Sequence, residues 1–594
     1  MTDIAEVKRV VVAGKQRMTP SEALVETLVA QGVRNVFGIV GSAYMDALDL
    51  FPGAGIRFLP TVHEQGAAHM ADGYYRVSGK HGVCIGQNGP GITNFVTAIA
   101  AAYWAHSAVV AITPETGSMA IGLGGFQETD QLPIFSRITK YQAHVNNAAR
   151  MAELTARAFD RAILEMGPTQ LNIPRDFLYG EIECEVPQPI RVERGPGGGA
   201  SLDAAAEALA NAKFPVIIAG GGVIASGGVE ACVALAEALD APVCNSYLHN
   251  DSFPAGHRLW CGPLGYHGSK AAMKVLARAD VVLALGSRLG PFGVLPQYGF
   301  DYWPANAKLV QVDADAKVLG LVKKTSVTVN GDAREAAQAL AARLKGRSLA
   351  GAANRAERLG IVKAEKEAWA KELAGWDCET DPWSLEVAKG SKYMHPRPML
   401  RELENAMPED AMVSTDIGNI CQIANSYLKF NRARSMFGAM MFGNCGYAFP
   451  TMIGCKVGAP ERTAVAYVGD GAWGMSFGEI LTCVREKIPV TAVVFNNQQW
   501  GAEKKNQVDF YDNRYVGTNL INPSWAEIAK AFGGEGIRVD KPDQIGDALK
   551  KATSSNRFTL LEIMTTQELG DPFRRDALKM PVRMLDKYKA FTVN

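Results

Sequence analysis

Short apolar runs recur along the chain. Most are followed by a glycine or a polar residue, and then by a stretch whose apolar positions return every three to four residues. The clearest unit begins at residues 464–468, Ala-Val-Ala-Tyr-Val, which predicts a buried strand. Gly469-Asp470-Gly471 follows. Phe477, Ile480, Leu481 and Val484 then fall on one face of a helix, and Pro489 ends it. Residues 490–495 predict a second buried strand, closing on Asn496-Asn497. A strand–helix–strand unit of this length joins parallel strands.

The same alternation opens the chain. Thr19 as N-cap, Pro20 at the first helical position and Glu22 as capping-box partner predict a helix that Gly32 ends. Strands are predicted at 36–40, 56–63 and 82–86, and a helix at 64–78. Another helix follows Asn88-Gly89-Pro90-Gly91, with Ile92, Phe95, Val96 and Ile99 on one face. Further strands are expected at 169–173, 215–219, 281–285, 309–312 and 411–414, and a glycine- and methionine-rich loop at 431–446. Residues 95–113 are mostly apolar, but His106-Ser107 interrupts them, so they read as a buried helix and strand rather than a membrane span. Gly-Pro-Gly-Gly-Gly within 187–201 marks a linker, and 352–376 is a charged, helix-prone connector. The expected fold is α/β, with three doubly wound parallel-sheet domains. Their expected bounds are 17–185, 200–345 and 395–570, with a helical connector at 346–394 and a carboxyl-terminal arm at 571–594.

Length agrees with several cores, since 594 residues exceed what one core organises. Lys+Arg and Asp+Glu are both 61, so the chain carries no net electrostatic footprint for nucleic acid or an anionic membrane. The ten cysteines are scattered with no C-x-x-C pair, which argues against a metal knuckle or a disulfide framework and fits a reducing cytoplasm. The first residues lack a long apolar stretch, and no signal peptide is expected.

The candidate chemistry sits at the ends of the predicted strands. Asp470 and Asn497 would lie at the carboxyl ends of neighbouring strands, about 5 Å apart across the sheet, where open α/β sheets bind ligands. One carboxylate and one amide oxygen suit Mg²⁺, which takes few protein oxygens and completes its shell with water and phosphate. The two flanking glycines allow backbone to approach a phosphate. Residues 220–225 fit G-x-G-x-x-A after a strand, a weak dinucleotide signal because no acidic residue closes a second strand about 20 residues on.

Gly-Asp-Gly, 24 residues (472 to 495) and Asn-Asn together resemble the thiamine-diphosphate motif. The resemblance extends over most of the chain. VFGIVGSA (36–43), HEQGAAHMADGY (63–74), GPGITN (89–94), FQETD (126–130), GYAFP (446–450), GDG (469–471) and NNQ (496–498) occur in the order seen in one family. That family is the thiamine-diphosphate enzymes that include acetohydroxyacid synthase, pyruvate oxidase and oxalyl-CoA decarboxylase. It implies a pyrimidine-binding first domain, a central domain and a diphosphate-binding third domain, with the cofactor between two subunits of a homodimer or homotetramer. Glu64, at a strand-to-helix junction, resembles the glutamate that shuttles a proton on the aminopyrimidine. Asp470 and Asn497 resemble the Mg²⁺ side-chain ligands, with the Gln499 carbonyl a third. Gly418, Asn419, Ile420, Gly471 and Ala472 would meet the diphosphate through the backbone. Gly443 would accept from the 4′-amino group, and Cys445 stands where a larger apolar residue usually props the cofactor.

The runs at 82–107, 124–133, 167–177, 496–506 and 567–578 narrow the resemblance to a branch that converts sulfoacetaldehyde and phosphate to acetyl phosphate and sulfite. The alternative is an acetolactate-synthase-like or decarboxylating carboligase acting on a 2-oxo acid. Asn419-Ile420 in place of that enzyme's Gln-His argues against it. Both substrates are small anions, so Gln127, Lys504, Arg574 and Arg575 are candidate contacts. Relatives place FAD or ADP in the central domain, or nothing. No flavin is expected to be needed here, because the net reaction transfers no electrons. Neither nucleic acid nor membrane is an expected partner.

Overall fold

Three six-stranded sheets, every pairing in them parallel, carry the chain. The structure, a computed structural model, describes residues 14–376, 394–439, 441–566 and 582–592. The first sheet uses Asn35–Gly38, Arg57–Pro60, Gly82–Ile85, Val109–Glu115, Tyr141–His144 and Thr169–Pro174. Counted along the chain, its spatial order is 2-1-3-4-6-5. The third sheet uses Met412–Thr415, Met436–Gly438, Ala464–Gly469, Thr491–Asn496, Glu535–Val539 and Thr559–Met564, and repeats that order. The central sheet uses Pro215–Ala219, Val243–Asn245, Trp260–Pro263, Val281–Leu285, Lys308–Asp313 and Val327–Asn330, in the order 3-2-1-4-5-6 typical of dinucleotide-binding sheets.

The strands are apolar runs because helices cover both faces of a parallel sheet. Pro215–Ala219, Val281–Leu285 and Thr491–Asn496 are buried at every position. The helix Pro20–Ala30 starts with the expected capping box: Thr19 Oγ1 accepts from the Glu22 amide at 3.2 Å, and Glu22 Oε2 accepts from the Thr19 amide at 2.7 Å. The helix Glu64–Ser78 spans the residues its pattern predicts and stops at Gly79, whose φ is 72°.

Three expectations are corrected. The stretch after Gly471 is not one helix but Asp470–Trp473, a 3₁₀ turn Phe477–Glu479 and Ile480–Glu486. Gly471, Gly474 and Gly478 weaken the continuous helix, and Leu481 faces outward while Cys483 is buried in its stead. The helix expected after Gly91 is likewise split, into Pro90–Thr93 and Val96–Trp104. The loop expected at 431–446 contains the strand Met436–Gly438.

The first and third domains share a core. Ala67 and Met70 join Phe437, Phe449, Met452 and Trp473 in one apolar cluster, while the central domain builds its own. The shared core depends on the helix Glu64–Ser78 crossing Ala448–Gly458 with backbones in contact. A Cβ on Gly73 would lie 2.0 Å from the Thr451 carbonyl oxygen, and one on Gly454 only 1.9 Å from that of Met70. No side chain fits at either position, so the two glycines set the distance between the domains. The connector helix Arg355–Trp376 is anchored by Arg358, which is buried and donates to the carbonyls of Lys213, Gly351 and Leu239.

Candidate active site

Asp470 follows the strand Ala464–Gly469, and Asn497 follows its parallel neighbour Thr491–Asn496, with Gly469 paired to Phe495. Both side chains therefore meet at the carboxyl edge of the sheet. Asp470 Oδ2 accepts from the Gln498 amide and from Asn522 Nδ2, each at 2.7 Å, and Oδ1 accepts from the Gly471 amide at 3.0 Å. One end of the Asn497 amide lies 3.2 Å from Asp470 Oδ1 and 3.1 Å from the Gln499 carbonyl. With its nitrogen there the amide donates to both; with a cation among the three groups it turns its oxygen inward instead. Oxygens bound to Mg²⁺ at about 2.1 Å in octahedral geometry are about 3 Å apart along an edge. Both spacings from the Asn497 amide match an octahedral edge, and the residues fit this ion.

A pocket of about 90 Å³ adjoins these oxygens, lined among others by Ile417, Gly418, Asn419, Cys445, Gly471 and Trp500. Asn419 is buried, and both polar atoms of its side chain lack a partner among the described residues, as a site built for a polar ligand would have it. The indole of Trp500 packs on Gly471, where a Cβ would come within 2.8 Å of the ring. Asp416 holds the two loops of this pocket together. It is buried and accepts from the amides of Ile417 at 2.8 Å, Gly446 at 3.1 Å and Ala448 at 2.9 Å. Burial pushes its carboxyl up to about 6, against the pull of those donors. Gly443 has φ 67°, in the left-handed region, and is not among the residues lining this pocket. Burial raises the Cys445 thiol to about 12, so it stays protonated.

Glu64 begins its helix in the first domain, 9% exposed. Asn94 Nδ2 donates to its Oε2 at 3.0 Å, and a Cβ on Gly91 would be 3.0 Å from its Oε1. The helix start is tied to the third domain by Glu479, whose Oε1 accepts from the amides of His63 at 3.1 Å and Val62 at 3.2 Å. Glu64 does not line the pocket beside Asp470. Gln127 stands on the same side as Glu64. Its Oε1 accepts from Gln87 Nε2 at 2.8 Å, and Gln87 also borders Gly91.

Lys504 is placed differently from a free anion contact. Its ammonium donates to Gln499 Oε1 and Asn519 Oδ1, each at 3.0 Å, and lies 4.8 Å from the centre of the Tyr515 ring. It braces the loop that follows Asn497, and burial lowers its pKa. Arg574 and Arg575 lie outside the described residues. Sequence reasoning missed Asp416, Asn94, Glu479, Asn522 and Glu562. Only Glu562 left a legible signal, a carboxylate in the middle of the apolar strand Thr559–Met564.

A larger cavity, about 420 Å³, opens where the three domains meet. It lies at the carboxyl ends of Pro215–Ala219 and Val281–Leu285, the point where the central strand order reverses. Gly222, Arg288, Asp313, His106 and Arg434 are among its walls. The acidic residue missing after the second strand is supplied at the end of the fifth, where burial raises the Asp313 carboxyl to about 6.

His69 carries a separate consequence. It is fully buried between the first and third domains, with Nε2 3.1 Å from Asn444 Nδ2, and burial lowers its pKa from 6.5 to about 3. In that window the unfolded chain binds a proton that the folded chain refuses. Stability is therefore lost as pH falls through 6.5, by up to about 1.4 kcal/mol per pH unit. His81 and His249, both lowered to about 4, act in the same direction, while the raised Asp313, Asp416 and Asp470 act against it. His69→Gln should thus lose less of its melting temperature than the parent between pH about 7 and about 5. An equal or steeper loss in paired melting curves would contradict this.

Among the described residues no helix is long and apolar enough to cross a membrane, and none of the described cysteines is in a disulfide. The polar cluster of Asp470, Asn497 and Gln499 and its adjoining pocket lie at the carboxyl edge of a parallel sheet, the form of a cofactor site in an α/β enzyme. Residues 18–134, 202–340 and 416–563 match the N-terminal TPP binding, central and C-terminal TPP binding domains of thiamine pyrophosphate enzymes, and the chain belongs to that family. It is 65% identical to sulfoacetaldehyde acetyltransferase of Castellaniella defragrans, covering 98% of this chain and 99% of that one. A protein of the same name from Alcaligenes xylosoxydans xylosoxydans is 63% identical, with the same coverage. A probable acetolactate synthase large subunit of Methanocaldococcus jannaschii is 30% identical over 96% of this chain and 97% of its own.

Proposed function

We propose that this chain converts sulfoacetaldehyde and phosphate to acetyl phosphate and sulfite with thiamine diphosphate and Mg²⁺. The observation that carries the reading is full-length identity of 65% to a sulfoacetaldehyde acetyltransferase in a chain that retains Glu64 and the three-oxygen corner. Thiamine diphosphate supplies the carbanion chemistry when bound. The chain supplies the rest. Asp470, Asn497 and the Gln499 carbonyl hold the cation. Gly418, Asn419, Ile420, Gly471 and Ala472 hold the diphosphate. The Gly443 carbonyl accepts from the pyrimidine amino group, and Cys445 supports the ring as a neutral thiol. Glu64 exchanges a proton with the pyrimidine nitrogen, and Asn94 keeps one of its oxygens engaged so that the other faces the ligand. Gln127 and the remaining N–H of Lys504 offer donors for the sulfonate or phosphate, and Arg574 and Arg575 are further candidates for these anions.

Glu64 does not line the pocket beside Asp470. A second copy of the chain completing the site accounts for this, with a homodimer, alone or paired as a homotetramer, as the active unit. The central cavity suits an adenine nucleotide, with Asp313 for a ribose hydroxyl and Arg288 for phosphate. Since no electrons are transferred, its role is to join the domains. Heat-denatured protein should release ADP or another adenine nucleotide without a visible flavin band, and a stoichiometric flavin band would contradict this.

The direct test is an assay of purified protein with sulfoacetaldehyde, phosphate, thiamine diphosphate and Mg²⁺. Sulfite and acetyl phosphate should appear in equal amounts. Pyruvate alone should give neither acetolactate nor carbon dioxide. Absence of sulfite, or acetolactate from pyruvate, would overturn the assignment of substrate.

A further inference from the structure

Glu562 is a charged group in a place that should hold none. It sits on the strand Thr559–Met564, every residue of which is buried, and is itself 0% exposed. No cation pairs with it among the described residues. A buried carboxylate is costly unless every lone pair is used, and here the partners are all donors. Oε1 accepts from Asn496 Nδ2 at 2.8 Å, and Oε2 accepts from the Ser524 hydroxyl and the Ala526 amide, each at 3.2 Å.

A carboxylate can only accept, whereas an amide has one accepting and one donating end. Glu562 therefore forces Asn496 to present its nitrogen, which leaves Asn496 Oδ1 facing the other way. That oxygen accepts from Asn522 Nδ2 at 3.1 Å, and the same Asn522 nitrogen donates to Asp470 Oδ2 at 2.7 Å. Along this chain the two amides have their polarity fixed from both ends, by Glu562 and by Asp470, and the two carboxylates demand the same arrangement. At the far end Oδ2 of Asp470 accepts from two donors, while Oδ1, which accepts from the Gly471 amide, is the oxygen beside the Asn497 amide.

We infer that Glu562, Asn496 and Asn522 are positioning residues for the metal corner, a directed hydrogen-bond chain that selects which oxygen of Asp470 is offered to the cation. This rests on Asp470 being a metal ligand. The purpose of the buried charge is directional. A glutamine at 562 must point its oxygen at the Ala526 amide, which cannot reorient, and so points its NH₂ at Asn496. Asn496 then turns over, and a like-to-like contact falls either between Asn496 and Asn522 or between Asn522 and Asp470 Oδ2. Either way Asn522 loses its grip on Asp470 Oδ2 and the carboxylate is no longer held in the orientation that offers Oδ1.

The same logic gives a rescue. In Glu562→Gln/Asn496→Asp the acceptor-only group moves one place along the chain. Asp at 496 accepts from the glutamine on one side and from Asn522 on the other, so Asn522 again donates to Asp470. Net charge is that of the parent.

The experiment is a Mn²⁺ titration with thiamine diphosphate, reading free Mn²⁺ by electron paramagnetic resonance. Quenching of tryptophan emission, with Trp500 stacked on Gly471, gives a second readout, and melting of the cation-free protein a third. Glu562→Gln and Asn522→Ala should each weaken Mn²⁺ binding by about 10- to 100-fold, the usual effect of losing an outer partner of a ligand. The double variant should return to within about threefold of the parent. Asn522 is only partly buried, so Asn522→Ala keeps the question open to test if Glu562→Gln melts early. Unchanged Mn²⁺ affinity in Asn522→Ala, or a double variant no better than Glu562→Gln, would overturn the inference while leaving Asp470 as a ligand. A parent protein that binds no Mn²⁺ would overturn the metal assignment itself.

Discussion

Replacing Glu64 with glutamine should cut sulfite release by about 10²- to 10⁴-fold, the range spanned by general acid–base groups, without loosening the fold. Glutamine keeps an oxygen for the Asn94 amide and the same length at the start of the helix. What it cannot do is exchange a proton with the pyrimidine nitrogen. Cation-dependent cofactor binding, assigned in the proposed function to Asp470 and Asn497, should survive. The variant also tests where the site lies. Co-expressed with an Asp470→Ala chain, it should form mixed dimers in which one site carries both lesions and the other carries none. Random pairing then restores about a quarter of parental activity from two nearly inactive parents, as two-fold symmetry requires. No recovery on mixing would mean that Glu64 and Asp470 act within a single chain.

Asp470→Ala is expected to have the second large effect, on binding rather than on proton transfer. It removes the one charged member of the three-oxygen face, leaving two neutral oxygens to hold a divalent ion beside a diphosphate. Loss of several kcal/mol of charge stabilisation corresponds to weakening of cofactor binding by about 10²-fold or more. Chelation of the parent should produce the same loss of tryptophan quenching and of activity. Added Mg²⁺ should reverse it in the parent and not in Asp470→Ala. Mg²⁺-dependent quenching retained by the variant would remove Asp470 from the metal corner. In the cation-free protein the Asn497 amide is free to turn over and donate to Asp470 and Gln499, so the ion competes with a hydrogen-bonded resting state rather than with an open cup.

Glu479 and Asp416 show a second kind of work done around the site. Neither touches the pocket's ligand space as a reactive group. Glu479 ties the residues just before Glu64 to the third domain through the amides of Val62 and His63. Asp416 locks the loop carrying Gly443 and Cys445 to the loop carrying Gly418 and Asn419. Both are buried carboxylates surrounded by backbone donors, a combination that fixes loop geometry because backbone amides cannot reorient.

Local chemistry was enough to read much of this protein from its residues. The capping box at Thr19 and Glu22, the helix Glu64–Ser78, the strands Pro215–Ala219 and Val281–Leu285, and the parallel unit carrying Asp470 and Asn497 all follow from neighbours a few positions apart. Side-chain periodicity and cap chemistry act over that range, and a short crossover allows few topologies. Where three strands are only three or four residues long, Val243–Asn245, Trp260–Pro263 and Val327–Asn330, no period could build up, and they went unread. The tertiary structure alone decided the separation of Glu64 from the Asp470 pocket, the glycine-spaced crossing that fuses the first and third cores, the reversal point of the central sheet, and the polarity of the chain from Glu562 to Asp470. Each depends on strand order or on a hydrogen bond between residues far apart in the chain. No pattern among near neighbours brings Glu562, Asn496 and Asn522 into one hydrogen-bonded line ending on Asp470; the strand order does.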